Sequence, residues 1–133
     1  MRVLSSMIAL VFFACIALNA QADDKQTWRE KLETAIPEGI RMLEAKEYVP
    51  FIKAMVEPDQ LAKLTENGTV EEFAERFAKR KAADLLKVLK DIKGRTPSME
   101  ENGTVASYEV NVEGFSKKAI KFRKVDKYWY IVN

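Results

Sequence analysis

Between Trp28 and Ile92 the hydrophobic residues recur at helical spacing, and after Gly94 the period changes to two, so helices come first and strands last. Trp28, Leu32, Ala35, Ile36, Ile40 and Leu43 form the first helical run. Pro37 interrupts it and is expected in the first turn of a new helix, where a missing N–H does no harm. Pro50 and Pro58 punctuate in the same way, which predicts short helices near 49–55 and 58–65. The clearest pattern follows Thr69. Thr69-Val70-Glu71-Glu72 reads as a capping box, Gly94 closes the far end, and one helix is predicted over 70–92. At about 100° per residue Val70, Phe73, Phe77, Leu85, Val88, Leu89 and Ile92 share its apolar face. The opposite face carries Glu72, Arg76, Lys79, Arg80, Lys87 and Lys90. With Glu72–Arg76, Glu75–Lys79 and Lys87–Asp91 as i,i+4 pairs, it reads as a solvated surface.

Asn102-Gly103 is a hairpin turn signal, joining a strand near 96–101 to one near 104–113. In the second of these Ala106, Tyr108, Val110 and Val112 alternate with Ser107, Glu109 and Asn111. A third strand near 117–125 carries Ile120 and Phe122, and Asp126-Lys127 turns it into a last strand, Tyr128 to Val132. The expected fold is α+β, with N-terminal helices packed on one face of a curved three- to four-stranded antiparallel sheet. Glu-Asn-Gly-Thr-Val occurs at 66–70 and again at 101–105, but a helix cap and a hairpin are different settings, so this is no repeat.

The N-terminus adds an address. Arg2, an uncharged apolar run from Met7 to Leu18, and Ala20-Gln21-Ala22 have the three parts of a secretory signal, with cleavage expected after Ala22. The run is short of the about 20 residues that span a bilayer, so stable membrane insertion is not expected. Lipidation at Cys15 is the alternative reading; Phe12 fits that signal poorly. Residues 23–133 then form a single domain. Losing Arg2 lowers the net charge of +2 by one, and so balanced a chain gives no reason to expect nucleic acid as a partner. The chain has no histidine, and Cys15, its one cysteine, leaves with the signal. That removes disulfides, thiol and imidazole catalysis and zinc-hydrolase chemistry, and no cofactor is expected. A small exported domain without disulfides points to a bacterial source and a periplasmic or secreted location.

The closing segment, Ile120-Lys121-Phe122-Arg123-Lys124-Val125-Asp126-Lys127-Tyr128-Trp129-Tyr130-Ile131, pairs a charged turn with an aromatic-rich strand. With helices before it, the chain resembles the nuclear transport factor 2-like superfamily, in particular its small exported bacterial members. The resemblance implies a cone-shaped α+β roll whose mouth can hold a small molecule. Family members include isomerases, dehydratases and binding modules without known chemistry. No arrangement here matches the acid-and-tyrosine sets of the steroid-isomerase branch, so the resemblance carries over no catalytic residue.

Five residues are candidate ligand contacts. Lys81 falls in the middle of the apolar face of the 70–92 helix, with Asp84 three residues on. A lysine buried there needs a partner, so the pair could line the cone, Lys81 holding an anionic group. Alternatively Lys81 snorkels past the sheet edge and Asp84 is engaged by Arg80 or Lys87. Tyr108, Phe122 and Trp129 are the natural aromatic lining of a small pocket, and equally what a short sheet uses to fill its core. Tyr128 and Tyr130 point to the opposite face, where with Lys121 and Arg123 they would make an aromatic and basic strip able to bind a glycan or a protein. Asn67 and Asn102 head Asn-Gly-Thr acceptor sequences, each with a complete structural reason as helix cap or turn. The functional expectation is an exported, non-catalytic module that binds a small molecule or a protein partner, with a homodimer through the open sheet face as one form. The alternative is an isomerase or lyase whose base is a carboxylate or a lysine.

Overall fold

The computed structural model describes residues 27–132, and the expected signal sequence, its expected cleavage site at Ala22 and Cys15 lie outside them. A short 3-10 turn, Trp28–Glu30, leads into five helices: α1 (Leu32–Glu44), α2 (Tyr48–Met55), α3 (Pro58–Leu64), α4 (Val70–Arg80) and α5 (Ala82–Ile92). Four strands follow: β1 (Ser98–Glu100), β2 (Val105–Glu109), β3 (Ala119–Val125) and β4 (Tyr128–Val132). They form one open antiparallel sheet in the order β1-β2-β3-β4. The protein is α+β, with its helices before its strands. Among the described residues no helix is long and apolar enough to cross a membrane.

Period-two alternation sets the two faces of the sheet. Ala106, Tyr108, Ile120, Phe122 and Trp129 enter the core with Leu32, Ile36, Phe51, Ile52, Met55, Val88, Leu89 and Ile92 from the helices. Phe122 and Ile92 are completely buried. Phe122 meets the Tyr108 ring edge-on at 5.8 Å. Gly39 lets α1 approach α2: a Cβ there would stand 3.3 Å from the Phe51 ring and 3.5 Å from Leu89.

Three expectations change. Pro37 starts no new helix but sits inside α1. It forfeits the bond that residue 37 would give the Glu33 carbonyl, and the buried stripe Leu32, Ile36, Ile40 and Leu43 carries the helix through. The 70–92 pattern is two helices, because Lys81 (φ −126°, ψ −24°) breaks the run. On α4, Phe77 packs against α2, stacked on Phe51 at 5.8 Å and edge-on to Tyr48 at 6.2 Å. By contrast α5 lies along α1. One straight helix could not serve both partners without burying Lys81; the break leaves Lys81 exposed and buries Ala82 beside it. The hairpin loop takes four residues, since Glu100 pairs with Val105 and Glu101, Asn102 and Gly103 all have positive φ. Both of its strands are accordingly shorter than expected.

The Thr69 half of the capping box forms. Thr69 Oγ1 accepts from the Glu72 N–H at 3.2 Å, and its hydroxyl donates to the Glu72 carboxylate at 3.3 Å. Thr69→Ala is expected to lower stability by about 1 kcal/mol, and Thr69→Ser to recover most of it, as read from urea unfolding midpoints. The i,i+4 pairs expected around it do not close; Asp91 instead meets Arg95 at 3.2 Å.

The two edges of the sheet differ. Beside β4, Val56 forms a parallel bridge to Ile131. Arg29 reaches over the same edge, donating to the Ala54 carbonyl at 3.1 Å and the Tyr130 hydroxyl at 3.2 Å. Its guanidinium lies 4.2 Å from the Tyr128 ring centre and 5.5 Å from that of Tyr130. Tyr130 is therefore buried at 6 % exposure, which corrects the expected open strip of Tyr128 and Tyr130: half of it lies under Arg29. At the other edge β1 is exposed along its whole length.

Candidate functional site

A cleft of about 550 Å³ opens between the start of α1, the 93–97 link after α5, and the inner face of the sheet. The buried side chains of Leu32, Ile36, Tyr108 and Trp129 form its floor. Pro37, Pro97 and Met99 wall it, and Met99 is 52 % exposed at the mouth. Glu30, Lys31, Glu33, Lys93 and Arg95 bring charges of both signs. Tyr108 pairs with Ile120 and Trp129 with Lys124, on either side of the row Met99, Ala106, Phe122, Ile131. Tyr108 and Trp129 thus meet the cleft from opposite sides of that row.

Tyr108 is the residue that makes this more than a surface dent. Its side chain is 4 % exposed, yet among the described residues nothing hydrogen-bonds its hydroxyl. Nor is the oxygen sealed: Arg29 Nε is the one fully buried side-chain polar atom there without a partner. Tyr108 and Trp129 both line the cleft, and the indole N–H of Trp129, like the Tyr108 hydroxyl, has no hydrogen-bond partner among the described residues. A polar tip on an otherwise buried ring needs a partner from outside. Burial, and then the carboxylate of Glu33, hold the Tyr108 hydroxyl above its ordinary titration range. At neutral and mildly alkaline pH it is a neutral group able both to donate and to accept.

Around this centre lie further free groups. Among the described residues Glu30, Lys31, Glu33 and Lys93 form no ion pair, whereas Arg95 is held by Asp91. The site can thus offer donors and acceptors of either charge above an apolar floor.

Of the five candidates read from sequence, the cleft brings together Tyr108 and Trp129. Phe122 lies beneath, wholly buried, and packs against Tyr108 from inside. Lys81 and Asp84 do not line the cleft. Lys81 is exposed at the break between α4 and α5, Asp84 begins α5, and neither forms an ion pair among the described residues. The reason for singling out Lys81, a lysine on a continuous apolar face, disappears with the continuous helix. Sequence reasoning missed Glu33, Pro97 and Met99. Glu33 left one sign, its place one turn before Pro37; the others depend on how β1 is laid down beside β2.

A second hollow, of about 450 Å³, lies between α4 and the start of α2, lined by Tyr48, Val49, Pro50 and Ala74 with charged neighbours. It contains none of the sequence candidates. No protein-family model, no curated protein and no solved structure matches the chain.

Proposed function

We propose that this protein is an exported, non-catalytic binding module whose cleft between α1 and the sheet holds a small amphipathic ligand or a segment of a partner protein. One observation carries the reading: Tyr108, a residue 4 % exposed, lines an apolar-floored cleft, and among the described residues its hydroxyl has no internal partner. The fold leaves such a group to solvent, and a ligand that displaces the solvent can bring it a complementary atom. The nuclear transport factor 2-like resemblance supports the same placement, at the mouth of the cone. The mixed rim favours ligands that carry both polar ends and an apolar body.

The test is a thermal-shift screen against metabolites and glycans, repeated on Tyr108→Phe. A ligand at about 100 times its Kd adds about 2.7 kcal/mol, a shift of roughly 10 °C or more in a domain of this size. Tyr108→Phe removes only a hydroxyl that no internal group uses. It should fold as well as the parent and bind such a ligand several-fold more weakly, as loss of one neutral hydrogen bond requires. If every hit is indifferent to Tyr108→Phe, the cleft is not the binding site.

An isomerase or lyase is the second reading, favoured by Glu33 and Tyr108 lining the same cleft. A carboxylate beside a neutral phenol can take a proton from a carbon next to a carbonyl while the phenol donates to the carbonyl oxygen. Glu33 is exposed, which leaves that base well solvated, and for this reason we place binding first. Turnover that disappears in Glu33→Gln while ligand binding persists would reverse the order.

A further inference from the structure

Resting on that binding reading, we infer that the ligand is an extended peptide, which adds as a fifth strand to the free edge of β1 and seats a side chain in the Tyr108–Trp129 cleft. The two ends of the sheet are the starting point. Beside β4, Val56 bridges the backbone at Ile131, and Arg29 lies over the side chains of Tyr128 and Tyr130. Among the described residues nothing pairs with the outer side of β1, and Ser98, Met99 and Glu100 are all exposed. Ser98 and Glu100 turn their N–H and C=O toward Ser107 and Val105, so Met99 alone turns its N–H and C=O to the free side, and the backbone of an added strand can satisfy that pair.

Register then places the cleft under such a strand. Met99 pairs with Ala106 and so faces the helical side of the sheet, the same side as Tyr108. A residue lying opposite Met99 on an added strand points to that side too. It would stand beside Met99, the most exposed large hydrophobic among the described residues, at the mouth of a cleft walled by Pro97 and floored by Trp129. The free charges of both signs, Lys31 and Lys93 against Glu30 and Glu33, suit the alternating polar side chains of a peptide better than a ligand of one charge. Main-chain pairing with a side-chain pocket beside the edge is how sheet edges recognise extended peptides.

The probes are fluorescein-labelled heptapeptides in which threonine alternates with one apolar residue (valine, leucine, phenylalanine or tryptophan), capped by lysine or glutamate. Binding to the chain is read by anisotropy. At least one should bind saturably, and Met99→Asp should weaken it at least ten-fold. Two N-methylated forms of that peptide decide the mode, one blocked at the odd amides and one at the even. Only the set facing β1 should matter, so one form loses at least ten-fold and the other stays within a few-fold of its parent. Three results would overturn the inference: no peptide binds; both methylated forms bind like the parent; or the chain is a dimer at micromolar concentration that Met99→Asp makes monomeric, so that a second copy holds the edge. A small molecule that raises the melting temperature while every peptide fails would leave the binding module standing and remove only the peptide.

Discussion

Replacing Phe122 by alanine is expected to lower the unfolding free energy by about 3–5 kcal/mol. The ring is completely buried at the centre of β3, flanked in register by Ala106 on β2 and Ile131 on β4. Ala106 is too small to fill the space left behind, and the Tyr108 ring rests edge-on against Phe122. The site therefore collapses poorly, which puts the loss toward the upper part of the range. Domains of this size are stable by about 5–15 kcal/mol, so the variant should lose a large part of its stability. Chemical denaturation followed by circular dichroism measures it. A loss below about 1 kcal/mol would mean that the inner face is loosely packed. Phe122→Leu separates volume from shape and should cost clearly less.

Arg29→Ala is expected to cost about 2–3 kcal/mol, more than an exposed arginine normally would. Two charge-assisted hydrogen bonds disappear, to the Ala54 carbonyl and the Tyr130 hydroxyl. So does the stacking on Tyr128 at 4.2 Å. The loss also uncovers Tyr130, buried at 6 % exposure on what would otherwise be an open sheet face. Arg29→Lys keeps the charge but cannot lie flat on one ring while donating to two acceptors, so it should recover less than half. Urea midpoints of the three proteins give the comparison, and equal stability of Arg29→Ala and the parent would show that the strap is ornamental to folding. Protection of the β4 amides in hydrogen exchange should fall in Arg29→Ala, since the edge is what the strap covers.

Fold class was readable because both periods are strong. The switch at Gly94, the alternation through Ala106, Tyr108 and Val110, and the Asp126-Lys127 turn before Tyr128 are local signals, and the structure agrees with each. Asp126 supplies the turn with φ 58°. What failed was long-range. Nothing local separates one 23-residue helix from two of 11 with Lys81 between them; that choice belongs to α2 and α1, which receive the two halves. Pro37 was misjudged for a related reason, because tertiary burial on both sides of a proline outweighs one lost hydrogen bond. The candidate site was half legible. Tyr108 and Trp129 stood out as aromatics on alternating strands, but their use depends on which of their atoms stays uncovered. Glu33 and Met99 are ordinary surface residues in sequence and become a site only when α1 and β1 converge.

The unequal edges of the sheet also bear on how the protein behaves when crowded. Runaway stacking needs two sticky ends per molecule, one to receive a neighbour and one to offer to the next. This sheet has its β4 end occupied in part, by the Val56 bridge at Ile131 and by Arg29 over the neighbouring tyrosines, so a molecule that meets another through β1 offers a poorer second end. Growth through strand edges is thereby disfavoured beyond a pair, although the β1 end stays open.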